Sequence, residues 1–215
     1  MGSTRLPGKI LKPLGNKTLL EHILFRLAYL QHPAKIVIAT TTSKQDDAVA
    51  SFCKKAPVAC FRGSETNVLE RYYSCAKQFG FDQVVRLTGD NPFTDVCELD
   101  RLIDLHLETQ SDFSHSFAAL PVGVGAEIFS FNALEKCYRE SSKPHHFEHV
   151  DEYMLENPRF FKTSLLKVEG AKNQPKVRLT VDSEEDYRRA CFIVEQANTA
   201  CVSTDEAIRL CMPSV

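Results

Sequence analysis

Near the start of the chain, Gly2-Ser3-Thr4-Arg5-Leu6-Pro7-Gly8-Lys9 combines two glycines and a proline, which bend a backbone, with two hydroxyls and two cations. Amides exposed by such a turn, flanked by a guanidinium and an ammonium, make a cradle for a polyphosphate. Gly8-Lys9-Ile10 lacks the Ser or Thr that follows the lysine of a Walker-type loop. The segment is therefore a phosphate loop of another kind or, at its plainest, a surface turn. Two aspartates offer the complementary chemistry. Asp90 closes Thr88-Gly89-Asp90 and Asp182 closes Thr180-Val181-Asp182, each directly after an apolar run. Two carboxylates meeting a triphosphate suit Mg²⁺, which takes oxygen ligands and commonly one or two protein carboxylates. Singly, Asp90 reads as a turn residue before Asn91-Pro92 and Asp182 as a helix N-cap.

Other polar groups follow apolar runs in the same way. Thr40-Thr41-Thr42 follows one, and Glu65, Asn67, Glu70 and Arg71 follow another, placed to recognise a base, a ribose or a phosphate, or else to form a solvated helix face. In Pro144-His145-His146-Phe147-Glu148-His149, His145 and His149 have i, i+4 spacing but no third ligand in sequence, which favours a polar substrate pocket over a zinc site. No serine sits in a G-x-S-x-G elbow, and no Ser/His/Asp or Cys/His arrangement is legible.

These groups need elements to present them. Apolar spacing predicts a helix over residues 17–30, ended by His32-Pro33, and a buried strand over 35–39. Helix 45–55, strand 58–61, helix 68–79, strand 82–87 and helix 96–109 follow. The β-α-β-α-β rhythm calls for an α/β fold with a mostly parallel sheet and helices on both faces. Beyond it we expect strands within 112–131, helices at 133–140 and 147–156, an extended segment at 160–167, a strand at 176–181 and a helix at 183–198 capped by Asp182 or Ser183. Ligands of a parallel sheet gather at the carboxyl ends of its strands, where the Gly2–Lys9 loop, Thr40-Thr41-Thr42, Thr88-Gly89-Asp90 and Thr180-Val181-Asp182 are expected. A phosphate loop of this kind usually follows a first strand; none precedes Gly2, so we expect the numbering to begin inside a longer protein or at a late start codon.

At 215 residues the chain suits one main domain, 1–215, with a smaller subregion at about 112–170. Charged residues make up 25% and the formal net charge is −2, which argues against nucleic acid or a membrane surface as partner. Eight cysteines are scattered without a C-x-x-C, as in a cytoplasmic protein with reduced thiols. No apolar run approaches 18 residues, and no signal-peptide profile is present.

Met1 to Lys9, Lys17 to His22, Ala39 to Thr42, Phe61 to Glu65 with Val68 to Tyr73, Leu87 to Asp90 and Leu179 to Asp182 together resemble the cytidylyltransferase family, in motif order and over nearly the whole chain. The branch they resemble is that of the spore-coat polysaccharide biosynthesis F-type proteins, related to the CMP-Kdo and CMP-sialic acid synthetases. The resemblance implies a nucleotide-diphospho-sugar-transferase, Rossmann-like fold and a cytoplasmic enzyme, often a homodimer through residues 117–130. A sugar hydroxyl would attack the α-phosphate of CTP and release pyrophosphate.

By that resemblance Gly2, Ser3, Arg5 and Lys9 hold the triphosphate, and Thr40 and Thr41 lie near the base. Asn67, Arg71 and Thr88 face nucleotide or sugar, and Asp90 and Asp182 hold Mg²⁺. Arg5, Lys9, Asp90 and Asp182 are the catalytic set. Two departures stand out. The family's first strand and its Ala-Arg pair do not precede Met1, and Gly123-Val124-Gly125-Ala126-Glu127 replaces a family Gly-Leu-Asp-Val-Glu, leaving Glu127, Glu148 and His149 as sugar-binding candidates. The competing expectations are a non-catalytic family member acting as partner or scaffold, and a GT-A type glycosyltransferase, against which the lack of an Asp-x-Asp argues.

Overall fold

Gly15 takes a positive φ of +63° between two short paired segments, β1 (Pro13–Leu14) and β2 (Lys17–Thr18), so the chain turns back on itself before its first helix. The computed structural model describes residues 1–197 and 199–211. Thr18 then caps α1 (Leu19–Leu27) through a capping box with Glu21. The helix therefore starts two residues later than its apolar spacing suggests.

Next come β3 (Val37–Thr41), α2 (Asp47–Lys55), β4 (Ala59–Gly63), α3 (Val68–Phe79), β5 (Gln83–Arg86) and α4 (Val96–Thr109). Asn67 and Asp95 cap α3 and α4, and Gly80 ends α3 in the left-handed region. The chain continues through β6 (Phe113–His115), β7 (Glu127–Ser130), α5 (Phe131–Glu140), α6 (Pro144–Glu148), α7 (Glu152–Glu156) and β8 (Thr163–Leu165). It closes with α8 (Glu184–Gln196) and α9 (Thr204–Cys211). The expected helix at 147–156 is two short helices, because His149 adopts an extended backbone between them. Asn198, the end of the expected 183–198 helix, lies outside the described residues.

β3 and β4 pair in parallel, and a four-stranded sheet runs in the order β5-β7-β6-β8. That sheet is mixed. β7 is antiparallel to both neighbours, because the link from β6 contains no crossover helix and the chain returns beside the strand it has just left. Among the described residues no strand joins β3 to β5.

Helices cover both faces of the four-stranded sheet. One face carries Ile128 against Leu99, Leu102, Ala190, Ile193 and Ala207 from α4, α8 and α9. The other carries Val84, Phe113 and Phe129 against Leu69, Tyr73, Ala133, Leu134 and Met154 from α3, α5 and α7. Burying a side chain such as Phe129 or Leu134 contributes about 1.5–3 kcal/mol. All eight cysteines are free, and burial pushes the Cys53 and Cys137 thiols up to about 12. Among the described residues no helix is long and apolar enough to cross a membrane.

Candidate active site

Leu6 is buried in the core and anchors the N-terminal loop, while Gly8 takes φ +69° and a single 3₁₀ turn, Lys9–Leu11, follows. Within the loop the Leu6 N–H donates to Ser3 Oγ at 3.2 Å and the Gly8 N–H to the Met1 carbonyl at 3.2 Å. Ile10 packs against Gly89, where an added Cβ would stand 2.9 Å from Ile10 Cγ2. This close approach sets Lys9 beside the turn after β5.

A second constraint brings in the distant aspartate. Residues 177–181 run extended along the 121–124 turn: Val122 and Arg178 form a single parallel bridge, and the Leu179 and Thr180 N–H groups donate to the Val122 carbonyl at 2.8 and 3.0 Å. The expected strand at 176–181 is thus one bridge and a few hydrogen bonds. Gly123 is required here, since it has φ +92° and a Cβ would meet the Thr180 nitrogen at 2.5 Å. One residue further, the Val181 N–H donates to the Asp90 carbonyl at 2.9 Å.

Asp90 and Asp182 therefore converge. The Lys9 ammonium lies 2.7 Å from Asp90 Oδ2 and 2.8 Å from Asp182 Oδ1. Arg5 approaches Asp182 Oδ1 at 3.5 Å from a mostly exposed position, and Arg178 donates to Asp182 Oδ2. Burial acts to raise the Asp182 pKa, but Lys9 and Arg178 outweigh it and hold the carboxyl below its ordinary value. Asp186 completes the support: its Oδ2 accepts from the Asp182 and Ser183 N–H groups at 3.1 and 3.0 Å, and its Oδ1 from Arg178 Nε at 3.2 Å. Ser183 caps α8, one of the two residues expected to do so. A cleft of about 80 Å³ beside the loop, lined by Met1, Ser3, Lys9 and Ile10, has the volume of a few waters or one phosphoryl group. The position between the two carboxylates already receives a cation, and its donors are all oxygen, so the residues present fit Mg²⁺.

The remaining sequence-predicted residues are spread along neighbouring elements. Asp46, which the sequence reading missed, accepts on Oδ2 from Thr40 Oγ1 at 2.9 Å, Thr41 N–H at 3.1 Å and Thr41 Oγ1 at 2.6 Å. Burial opposes ionisation there, yet the terminal amino group and these donors hold the Asp46 carboxyl far below its ordinary value. Asn67 accepts from the Glu70 N–H at 2.8 Å as the α3 cap. Arg71 donates to the Ser64 carbonyl, and its buried Nε has no partner. Gly2 lies against Gln45, and Thr88 Oγ1 accepts from Asn91 at 2.8 Å.

Glu127 is 1% exposed and forms a buried ion pair with Arg86, directly across the β5–β7 ladder. Burial pushes its carboxyl up to about 7, against the pull of the Arg86 guanidinium. Glu148 and His149 are exposed on the α6–α7 segment. Arg86, Arg178 and Asp186 were not singled out from sequence; only the Ser183-x-x-Asp186 capping pattern carried a signal.

A family profile described as Cytidylyltransferase matches residues 1–208. The chain belongs to the cytidylyltransferase family. It is 35% identical over 216 residues to the spore coat polysaccharide biosynthesis protein SpsF of Bacillus subtilis, covering 98% of this chain and 90% of that protein. A solved cytidylyltransferase structure from Leptospira borgpetersenii is 34% identical, with a TM-score of 0.91, covering 100% of this chain and 94% of that one. The structure of a CMP-2-keto-3-deoxy-manno-octonic acid synthetase complexed with CTP shares the fold, at a TM-score of 0.65 and 15% identity over 91% of this chain and 95% of that one. This cytidylyltransferase thus has the nucleotidyltransferase-type α/β fold that its motifs imply.

Proposed function

We propose that the chain transfers CMP from CTP to a hydroxyl of an acidic or modified sugar in cell-surface polysaccharide synthesis, with Mg²⁺ held by Asp90 and Asp182. The observation that carries this reading is the convergence of those two carboxylates on Lys9, at 2.7 and 2.8 Å, beside the glycine loop. Family membership and the 35% identity to a polysaccharide biosynthesis protein support it. In the reaction a sugar oxygen forms a bond to the α-phosphorus as the bond from that phosphorus to the bridging oxygen breaks. Pyrophosphate leaves with the electron pair, and the hydroxyl proton passes to solvent.

When bound, Mg²⁺ neutralises phosphate charge and lowers the pKa of the attacking hydroxyl. Ser3, Arg5, Lys9 and the loop amides bind the triphosphate, fixing the α-phosphorus against the acceptor, so that catalysis is positioning plus charge stabilisation. Arg178 and Asp186 hold the Asp182 carboxylate in place. Thr40, Thr41, Asn67, Arg71 and Thr88 line the nucleotide side, and the exposed Glu148 and His149 the acceptor side. The protein works in the cytoplasm as a homodimer, consistent with the exposure of the apolar side chains of Phe117 and Val122 in the 117–130 segment.

Purified protein incubated with Mg²⁺, each of CTP, UTP, ATP and GTP, and a panel of sugar acids and amino sugars should release pyrophosphate with CTP. Silence across all four nucleotides and the full panel contradicts the proposal. Light scattering during size-exclusion chromatography reads the dimer directly.

A further inference from the structure

His145 and His146 stand on α6 and Glu156 ends α7, and the two short helices fold so that all three side chains meet. His145 Nε2 is 2.8 Å from Glu156 Oε1, and His146 Nε2 is 3.0 Å from Glu156 Oε2. The imidazole rings are 4.5 Å apart at 73°, so two consecutive residues direct the same ring nitrogen at one carboxylate. One ligand atom from each of the three lies within 4.8 Å of the others. Nothing in nucleotidyl transfer uses this cluster, and His149, the spacing partner suggested by sequence, is not part of it.

We propose that His145, His146 and Glu156 bind a divalent transition-metal ion of the Zn²⁺ class. Two imidazole nitrogens and one carboxylate are a donor set that Zn²⁺ accepts, with water completing a tetrahedron, whereas Mg²⁺ favours all-oxygen surroundings. The two metal chemistries thus separate by donor type, oxygen at Asp90 and Asp182 and nitrogen-rich here.

His146 is buried, and its Nδ1 has no hydrogen-bond partner. Only Glu156 therefore fixes which of its nitrogens carries the proton, and a metal on Nε2 shifts that proton to Nδ1 without breaking any other hydrogen bond. Lys143, 2.5 Å from Glu156 Oε2, is the competing cation; its side chain is 56% exposed, and solvent screening weakens an exposed ion pair of this kind. Helices of five residues are too short to persist unaided, so an ion joining α6 to α7 rigidifies the segment that carries Glu148 and His149.

The test is independent of any catalytic reading. Chelator-treated full-length protein is titrated with zinc chloride in excess Mg²⁺ by calorimetry, and Co²⁺ substitution is followed by visible absorption. One equivalent of Zn²⁺ binds to the wild type and equally to Asp90→Asn. Binding weakens roughly tenfold or more in His145→Ala, an exposed position, and in Glu156→Gln. Thermal melting without metal verifies that each variant is folded, and the Zn²⁺-induced rise in Tm disappears in both. No binding by the wild type, or unchanged affinity in folded His145→Ala and Glu156→Gln, overturns the proposal.

Discussion

The Lys9 ammonium sits 2.8 Å from the Asp182 carboxylate across 173 residues of sequence. It also lies 2.7 Å from Asp90, so one side chain offsets two negative charges. Lys9→Met leaves those carboxylates facing each other without their shared cation and removes a phosphate-binding charge. Turnover should fall by roughly 10²-fold or more, and Tm should drop as the carboxylates repel. Pyrophosphate release and thermal melting read the two effects.

The Gly89–Ile10 contact couples the N-terminal loop to the turn carrying Asp90. Gly89→Ala places a methyl 2.9 Å from Ile10 Cγ2 and pushes the loop outward. We expect weaker CTP binding and a loss of about 1–3 kcal/mol from overpacking. Ile10→Ala in the same chain opens the space and should restore much of the CTP affinity; equal weakening in single and double variants would show that the contact does not position the loop.

Arg86 and Glu127 predict a pH signature. The folded carboxyl titrates at about 7 against an ordinary 4.5, so the native state holds a proton that the unfolded chain has released between those values. The stability this group contributes is complete below 4.5 and is lost as pH rises through about 7. Glu127→Gln should flatten the urea-unfolding free energy across that window. Arg86→Ala should instead destabilise by roughly 3–5 kcal/mol at pH 8, because it strands a buried carboxylate.

Asp46 holds both threonines at the end of β3. Asp46→Ala frees the Thr41 N–H and both hydroxyls, at a cost of about 1–3 kcal/mol for unsatisfied groups. If Thr40 and Thr41 lie near the base, KM for CTP rises more than kcat falls; steady-state kinetics separates the two.

Much of this was legible in the chain itself. The helix expected over 68–79 is α3, Val68–Phe79, because an Asn67 cap and a Gly80 stop bracket an apolar spacing. That Asp90 and Asp182 come together was readable, since Thr-Gly-Asp and Thr-Val-Asp each follow an apolar run. What local pattern could not supply was pairing. The antiparallel placement of β7 depends on how the chain returns after β6, and the 177–181 segment binds through single hydrogen bonds that leave no alternation to read. Arg86 looked like a strand residue because its partner lies across a ladder, and Glu156 joined the histidines only once α6 and α7 had folded against each other.

Calorimetric titration of CTP, with and without Mg²⁺, into wild type, Asp90→Asn, Asp182→Asn and the double variant tests the central claim most directly. If both carboxylates hold one ion, wild-type binding is Mg²⁺-dependent, each single variant loses that dependence, and the double variant is no worse than either. Mg²⁺-independent binding in the wild type, or full Mg²⁺ dependence surviving in either single variant, would contradict it.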